Sequence, residues 1–265
     1  MILHSKIIGN AGRDIIILHG LYGSSDSWLR VAKLLLDNFT IHLLDLRNHG
    51  ESFKNDVHTY QAMVEDVKSY LDDKKISDVD LIGHSMGGKL AMFFVAKYPK
   101  YIRKLVIADI SPRSYKALLQ NDPNGNFHLN LLSIMKNLDL AAYNSYRSLS
   151  KELREHGVTI ENVILKNVEK NNRQFVWKLN VSALFNNINN ILEGLNPDDF
   201  IDGKITTKTL FLKASNSNYI TSSDKKIIDF IFVNAHIKEI TNAGHWLHYD
   251  NPNDTVNEIL AFLNE

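Results

Sequence analysis

The sequence predicts an α/β fold: a doubly wound, mostly parallel central sheet flanked by helices, with a helical cap inserted late in the sheet. Three observations carry this. Short β-branched runs alternate with helical stretches over the first 110 residues, the last 57 residues return to that alternation, and the text between is helix after helix. The runs lie at 14–18, 40–44, 79–82, 105–110, 209–212 and 237–240. Each is continuous in apolar character rather than alternating, as strands covered on both faces by helices must be. The intervening helices are expected at 28–37, 60–74, 86–97 with Pro99 closing it, 223–233, and 254–264 with Asp254 as N-cap.

From 114 to about 202 the apolar residues fall at three- and four-residue spacing over 129–138, 139–156 and 180–195, and no strand pair with a crossover helix is evident. The chain leaves at Ser111-Pro112 and returns through 194–203. The expected division is a core in two parts, 1–113 and 204–265, with 114–203 as the cap. An independent helical domain would leave the flanking strands without each other.

Composition narrows the function. A chain of 265 residues, 44% hydrophobic, can bury a single large core without covalent staples. Its 30 basic and 30 acidic residues cancel, so no long-range field attracts nucleic acid or an anionic membrane. The absence of cysteine removes disulfides, thiolate metal sites and a thiol nucleophile together. The N-terminus has no apolar leader run and no segment approaches the roughly 20 apolar residues of a membrane span, so a soluble cytoplasmic protein, monomer or homodimer, is expected.

Gly83-His84-Ser85-Met86-Gly87 matches G-x-S-x-G between a predicted strand and a predicted helix. A serine on so sharp a turn needs strained backbone angles, and glycines two residues to either side keep Cβ atoms out of the elbow. The helix starting at Met86 aims its free N–H groups at the site, where negative charge would develop. Gly83, Gly88 and Lys89 also fit G-x-x-x-x-G-K, but Leu90 stands where a phosphate loop needs a hydroxyl for magnesium. The Gly-rich turn His19 to Ser24 follows the first clear strand, and Leu21 N–H with Met86 N–H are expected to form an oxyanion hole. His19, Gly20, His84 and Trp246 flank these motifs and are expected to contact substrate. Among 11 histidines, His245 lies in a loop between a predicted strand and the last helix and is the expected general base; His248, three residues on, is a bystander.

With these motifs on hand, the chain resembles the α/β-hydrolase superfamily over almost its whole length. His19-Gly20-x-x-Gly23-Ser24, the loop Asp45-x-Arg47-x-His49-Gly50-x-Ser52, the elbow at Ser85 and Ala243-Gly244-His245 carry the resemblance. Seven of the 13 glycines fall inside them, which scatter would not produce. Many relatives place the catalytic acid just after the strand at 209–212, but Ser217 stands at that position here. Asp109, at the end of the preceding strand and 24 residues after Ser85, can reach the histidine from a neighbouring strand. Asp224 and other carboxylates remain alternatives. The Asp109-Ile110-Ser111-Pro112 segment, the acid-less loop Asn216 to Ile220 and the stretch Gln174 to Val181 look like the YbfF-type esterases, a branch with this displaced acid.

The resemblance implies hydrolysis of short- to medium-chain acyl esters through Ser85, His245 and Asp109, or alternatively thioester hydrolysis, perhydrolysis, carbon–carbon bond cleavage or aminopeptidase action on the same triad. The partner is a small molecule, and neither metal nor organic cofactor is required. Ser85 in the elbow argues against the dehalogenases and epoxide hydrolases, which use aspartate there. A binding module without turnover is the rival from another class. Leu131, Met135, Tyr143, Tyr146, Trp177 and Phe185 are candidates for the roof of the cavity.

Overall fold

The structure is a computed structural model that describes residues 1–10, 12–36, 39–117, 127–172 and 174–265. Its central sheet has seven strands: β1 (Ser5–Ile8), β2 (Arg13–Leu18), β3 (Phe39–Leu44), β4 (Val79–His84), β5 (Ile102–Ala108) and, beyond a two-stranded hairpin of β6 (Val168–Asn171) and β7 (Gln174–Trp177), β8 (Lys208–Ala214) and β9 (Ala235–Ile240). The order is β1-β3-β2-β4-β5-β8-β9, with β1 antiparallel to β3 and every other pair parallel.

Consecutive residues of β2 explain why its run is continuous. Ile15 and Ile17 pack with Trp28, Val31 and Phe262 on one face, while Ile16 and Leu18 pack with Val64, Leu90 and Phe94 on the other, all essentially inaccessible. Helices Tyr60–Lys74 and Met86–Lys97 cover the second face, and Leu29–Leu34 and Pro252–Asn264 the first. This arrangement brings the C-terminal ends of β2, β4, β5 and β8 to one edge, where ligands of open α/β sheets bind.

Several boundaries differ from expectation for local reasons. The last helix begins at Pro252, whose fixed φ suits a first helical position, and Asn251 rather than Asp254 caps it by accepting from Asp254 N–H. The expected helix at 139–156 breaks in two: Asp139 caps a 3-10 turn, Leu140–Ala142, and Ser145 caps Tyr146–Glu155. The helix expected at 28–37 is a 3-10 turn, Ser25–Trp28, continued by Leu29–Leu34, and Asp37 lies outside the described residues. Between β5 and β8 the chain is mainly helical, with Phe127–Asn137, Glu161–Leu165, Val181–Asn186 and Ile188–Ile191 besides Tyr146–Glu155, but it also contains the β6–β7 hairpin. No described helix is long and apolar enough to cross a membrane.

Candidate active site

Ser85 sits between β4 and helix Met86–Lys97 with φ 52 and ψ −118, a conformation costly for any residue with a Cβ. The turn leaves no room around it: a Cβ on Gly83 would lie 2.3 Å from Gly87 O, and one on Gly87 2.3 Å from Leu18 O. Asp109 leaves the end of β5 with φ 47 and is held by its N–H donating to Leu212 O at 2.8 Å. Two neighbouring strands thus end in strained residues that turn functional side chains to the same edge.

His245 joins them. Its Nε2 lies 2.9 Å from Ser85 Oγ and its Nδ1 2.8 Å from Asp109 Oδ2. A carboxylate only accepts, so Nδ1–H donates to Asp109, leaving the Nε2 lone pair facing the serine hydroxyl. Asp109 is fully buried, and its remaining acceptor capacity is used by Ala214 N–H at 3.0 Å and by the hydroxyl of Ser217. The Ser217 hydroxyl thus holds the Asp109 carboxylate from the loop after β8. Asp224 is occupied elsewhere, with Arg113 and the Ser111 hydroxyl each at 2.8 Å and Thr221 N–H at 2.7 Å.

Nothing in the sequence marks Tyr219 as a site residue, yet its ring stacks on His245 at 3.9 Å between centroids. Its hydroxyl lies 3.2 Å from His128 Nε2, and His128 Nδ1 lies 3.3 Å from the Tyr22 hydroxyl, so a residue of helix Phe127–Asn137 ties two core loops together. Burial and the Asp109 carboxylate push Tyr219 up to about 12 and keep it protonated.

The other expected site residues divide. Leu21 and Met86 N–H groups have no hydrogen-bond partner among the described residues. Gly20 packs so tightly that a Cβ would be 2.8 Å from His84 Nδ1. His84 Nε2–H donates to His245 O at 2.8 Å, and His84 and Trp246 line the cavity over Ser85. His19 is placed differently from the other three. Its Nδ1–H donates to Gly20 O at 2.8 Å and its Nε2 accepts from Leu46 N–H at 3.1 Å, so it braces two loops, and it is not among the residues lining the cavity over Ser85. The roof also differs. Phe127, His128, Thr159 and Ile160 line the cavity from the inserted segment, and none of Leu131, Met135, Tyr143, Tyr146, Trp177 and Phe185 does. Leu131 and Met135 instead point into the core, and the Tyr146 hydroxyl donates to Val168 O.

Three buried histidines near the site are held neutral. Burial, and then Arg47, lowers His58 to about 3; burial, and then His245, lowers His128 to about 4 and His248 to about 3. In the unfolded chain each takes up a proton below about 6.5, whereas the folded chain takes it up only near 3 to 4, so the stability they confer is full above 6.5 and lost as pH falls. Each can remove up to roughly 1.4 kcal/mol per pH unit in that window. Urea unfolding at pH 7, 6 and 5 should show the midpoint falling steeply; a flat profile would contradict neutral burial.

A strained serine elbow, a histidine in contact with it and a buried carboxylate behind that histidine, at the strand ends of this sheet, direct the comparison with known proteins. The α/β-hydrolase fold family matches residues 15–252. The chain belongs to that family. This α/β-hydrolase is 36% identical to a "marine microorganism esterase" of solved structure, with a TM-score of 0.93, covering 98% of this chain and 99% of that one. It is 34% identical to "sn-1-specific diacylglycerol lipase ABHD11" of Danio rerio, over 94% of this chain and 78% of the relative. To "Esterase YbfF" of Escherichia coli it is 29% identical, over 95% and 93%. The α/β-hydrolase is thus of the YbfF-like branch and stands among the family's carboxylic ester hydrolases.

Proposed function

We propose that this α/β-hydrolase cleaves short- to medium-chain acyl esters by two-step acyl transfer, with Ser85 as nucleophile, His245 as general base and Asp109 as the acid that orients it. The observation that carries the reading is the unbroken relay from Asp109 through His245 to Ser85, with both links under 3 Å. Ser85 Oγ attacks the ester carbonyl as its proton passes to His245 Nε2. The leaving alcohol takes that proton as the acyl–oxygen bond breaks, and water repeats the cycle on the acyl-enzyme. Leu21 and Met86 N–H groups, otherwise unpartnered, serve the oxyanion. Asp109 stabilises the imidazolium without becoming protonated, and Ser217 keeps its carboxylate in place.

The segment 114–203 acts as a cap that closes the acyl site. The cavity over Ser85 is about 260 Å³, small beside drug-sized ligand pockets, and is lined by Leu21, Phe127, Ile160 and Trp246. Burial holds His84 and His128 in its wall neutral, so an uncharged acyl group of modest length suits it. Names given to the relatives, esterase and lipase, support the same chemistry. A p-nitrophenyl ester ladder from acetate to decanoate tests it: kcat/KM should peak at butyrate to octanoate and decline at decanoate. Turnover of none of them would overturn the reading.

A further inference from the structure

Lys89 completes Gly83-x-x-x-x-Gly88-Lys89 without the hydroxyl that a phosphate loop needs, and it is not among the residues lining the cavity over Ser85. It is nevertheless 1% exposed, on the helix that Ser85 opens, and its backbone N–H donates to Ser85 O at 2.9 Å. A buried ammonium is tolerated only where its donors are met. Here Nζ donates to Pro112 O at 2.8 Å and to Arg113 O, and it lies 5.0 Å from the centre of the Tyr115 ring.

Residues 112–115 are where the chain leaves the core for the inserted segment, and the returning chain is tied to them. Leu195 N–H donates to Pro112 O at 2.9 Å and Tyr115 N–H to Leu192 O at 2.8 Å. Tyr115 carries the connection on to the active site. Its ring is buried beside Arg113, whose guanidinium carbon lies 4.1 Å from the ring centre. Its hydroxyl accepts from Ser111 N–H at 3.0 Å and donates to Tyr219 O. Tyr219 is the residue stacked on His245, and its N–H donates at 3.3 Å to the Ser217 hydroxyl that holds Asp109. Lys89, Tyr115, Tyr219 and His245 thus form an unbroken run of contacts from the serine's helix to the histidine.

We infer that Lys89 and Tyr115 are positioning residues for the triad: Lys89 pins the stem of the inserted segment to the serine's helix, and the Tyr115 hydroxyl holds the loop of Ser217 and Tyr219 against Asp109 and His245. The inference rests on the reading of Ser85, His245 and Asp109 as the acyl-transfer triad. Neither residue touches the reacting atoms. Without the Tyr115 hydroxyl, Tyr219 O and Ser111 N–H lose a buried partner, the loop relaxes, and the His245 ring stacked on it moves with it. A misplacement of about 1 Å costs on the order of 100-fold in rate, so a fraction of that shift is enough for about tenfold.

Tyr115→Phe and Lys89→Met, singly and together, test this beside wild type in hydrolysis of p-nitrophenyl butyrate and in the rate of Ser85 labelling by a fluorophosphonate, with thermal melts alongside. Tyr70→Phe is the control, because Tyr70 is equally buried and its hydroxyl meets Ser5 and His42, neither of them in the relay. Each single variant should lose about tenfold in kcat and in labelling rate with KM within about twofold, and the double variant should fall no further than the worse single, since both act along one path. Tyr70→Phe should melt lower yet keep kcat within about twofold of wild type. Wild-type kcat and labelling in folded Tyr115→Phe would overturn the inference, as would losses that multiply in the double variant or an equal loss in Tyr70→Phe. Lys89→Met decides the matter by the same two rates if Tyr115→Phe does not fold. Labelling of wild type without ester turnover would overturn the ester reading alone, and the labelling rates would still judge the positioning role; no labelling of wild type would overturn both.

Discussion

Ser85→Ala is expected to lower kcat on p-nitrophenyl butyrate by about 10⁶-fold, the scale seen when a triad serine is removed. The size follows from what the hydroxyl does. In the proposed mechanism its oxygen forms the covalent intermediate, and among the described residues it is the hydroxyl that His245 Nε2 contacts. Any residual rate would come from the Leu21 and Met86 N–H groups polarising a carbonyl towards water. The variant should fold normally, because alanine relieves none of the φ 52 strain and removes only one partly buried hydroxyl. The measurement is steady-state hydrolysis beside a thermal melt. A folded Ser85→Ala protein within tenfold of wild type would place the nucleophile elsewhere.

Asp109→Asn is expected to cost about 10⁴-fold in kcat with little change in fold. The amide is nearly the shape of the carboxylate, so Ala214 N–H can still find its oxygen at the Oδ1 position, while Ser217, which shares the Oδ2 position with His245, turns its hydroxyl to accept. That orientation turns an NH2 group towards His245 Nδ1, which then accepts, and the ring presents a proton instead of a lone pair to Ser85. Asp224→Asn is the control. Asp224 is engaged by Arg113, Ser111 and Thr221, none of which touches the relay, so its activity should stay within a few-fold of wild type. Loss of activity in Asp224→Asn but not in Asp109→Asn would reverse the assignment of the acid.

Much of this was legible in the sequence because backbone strain and burial leave marks there. Gly83 and Gly87 announce the elbow, since any Cβ would collide with carbonyl oxygens, and the Ile15-Ile16-Ile17-Leu18 run announces a strand covered on both sides. β1 left no such mark: four residues at the sheet edge owe their state to pairing with β3, with Ile7 opposite His42 and Ser5 opposite Leu44 far along the chain. The β6–β7 hairpin was hidden in the same way, because most of β6 is exposed and polar. In the site, Ser217 reads in the sequence only as a missing acid. Its bond to Asp109 spans 108 residues and depends on β5 and β8 lying side by side, which no local pattern encodes. The stacking of Tyr219 on His245 and its link to His128 are hidden for the same reason.

The central claim is that His245 and Asp109 activate Ser85, and labelling with a fluorophosphonate tests it most directly, because the probe reports the nucleophile without assuming a substrate. Wild type should take up one equivalent, mapped by peptide mass to Ser85, and Asp109→Asn should label slower by orders of magnitude. No uptake by wild type, uptake at another residue, or equal labelling rates in the two proteins would contradict the account.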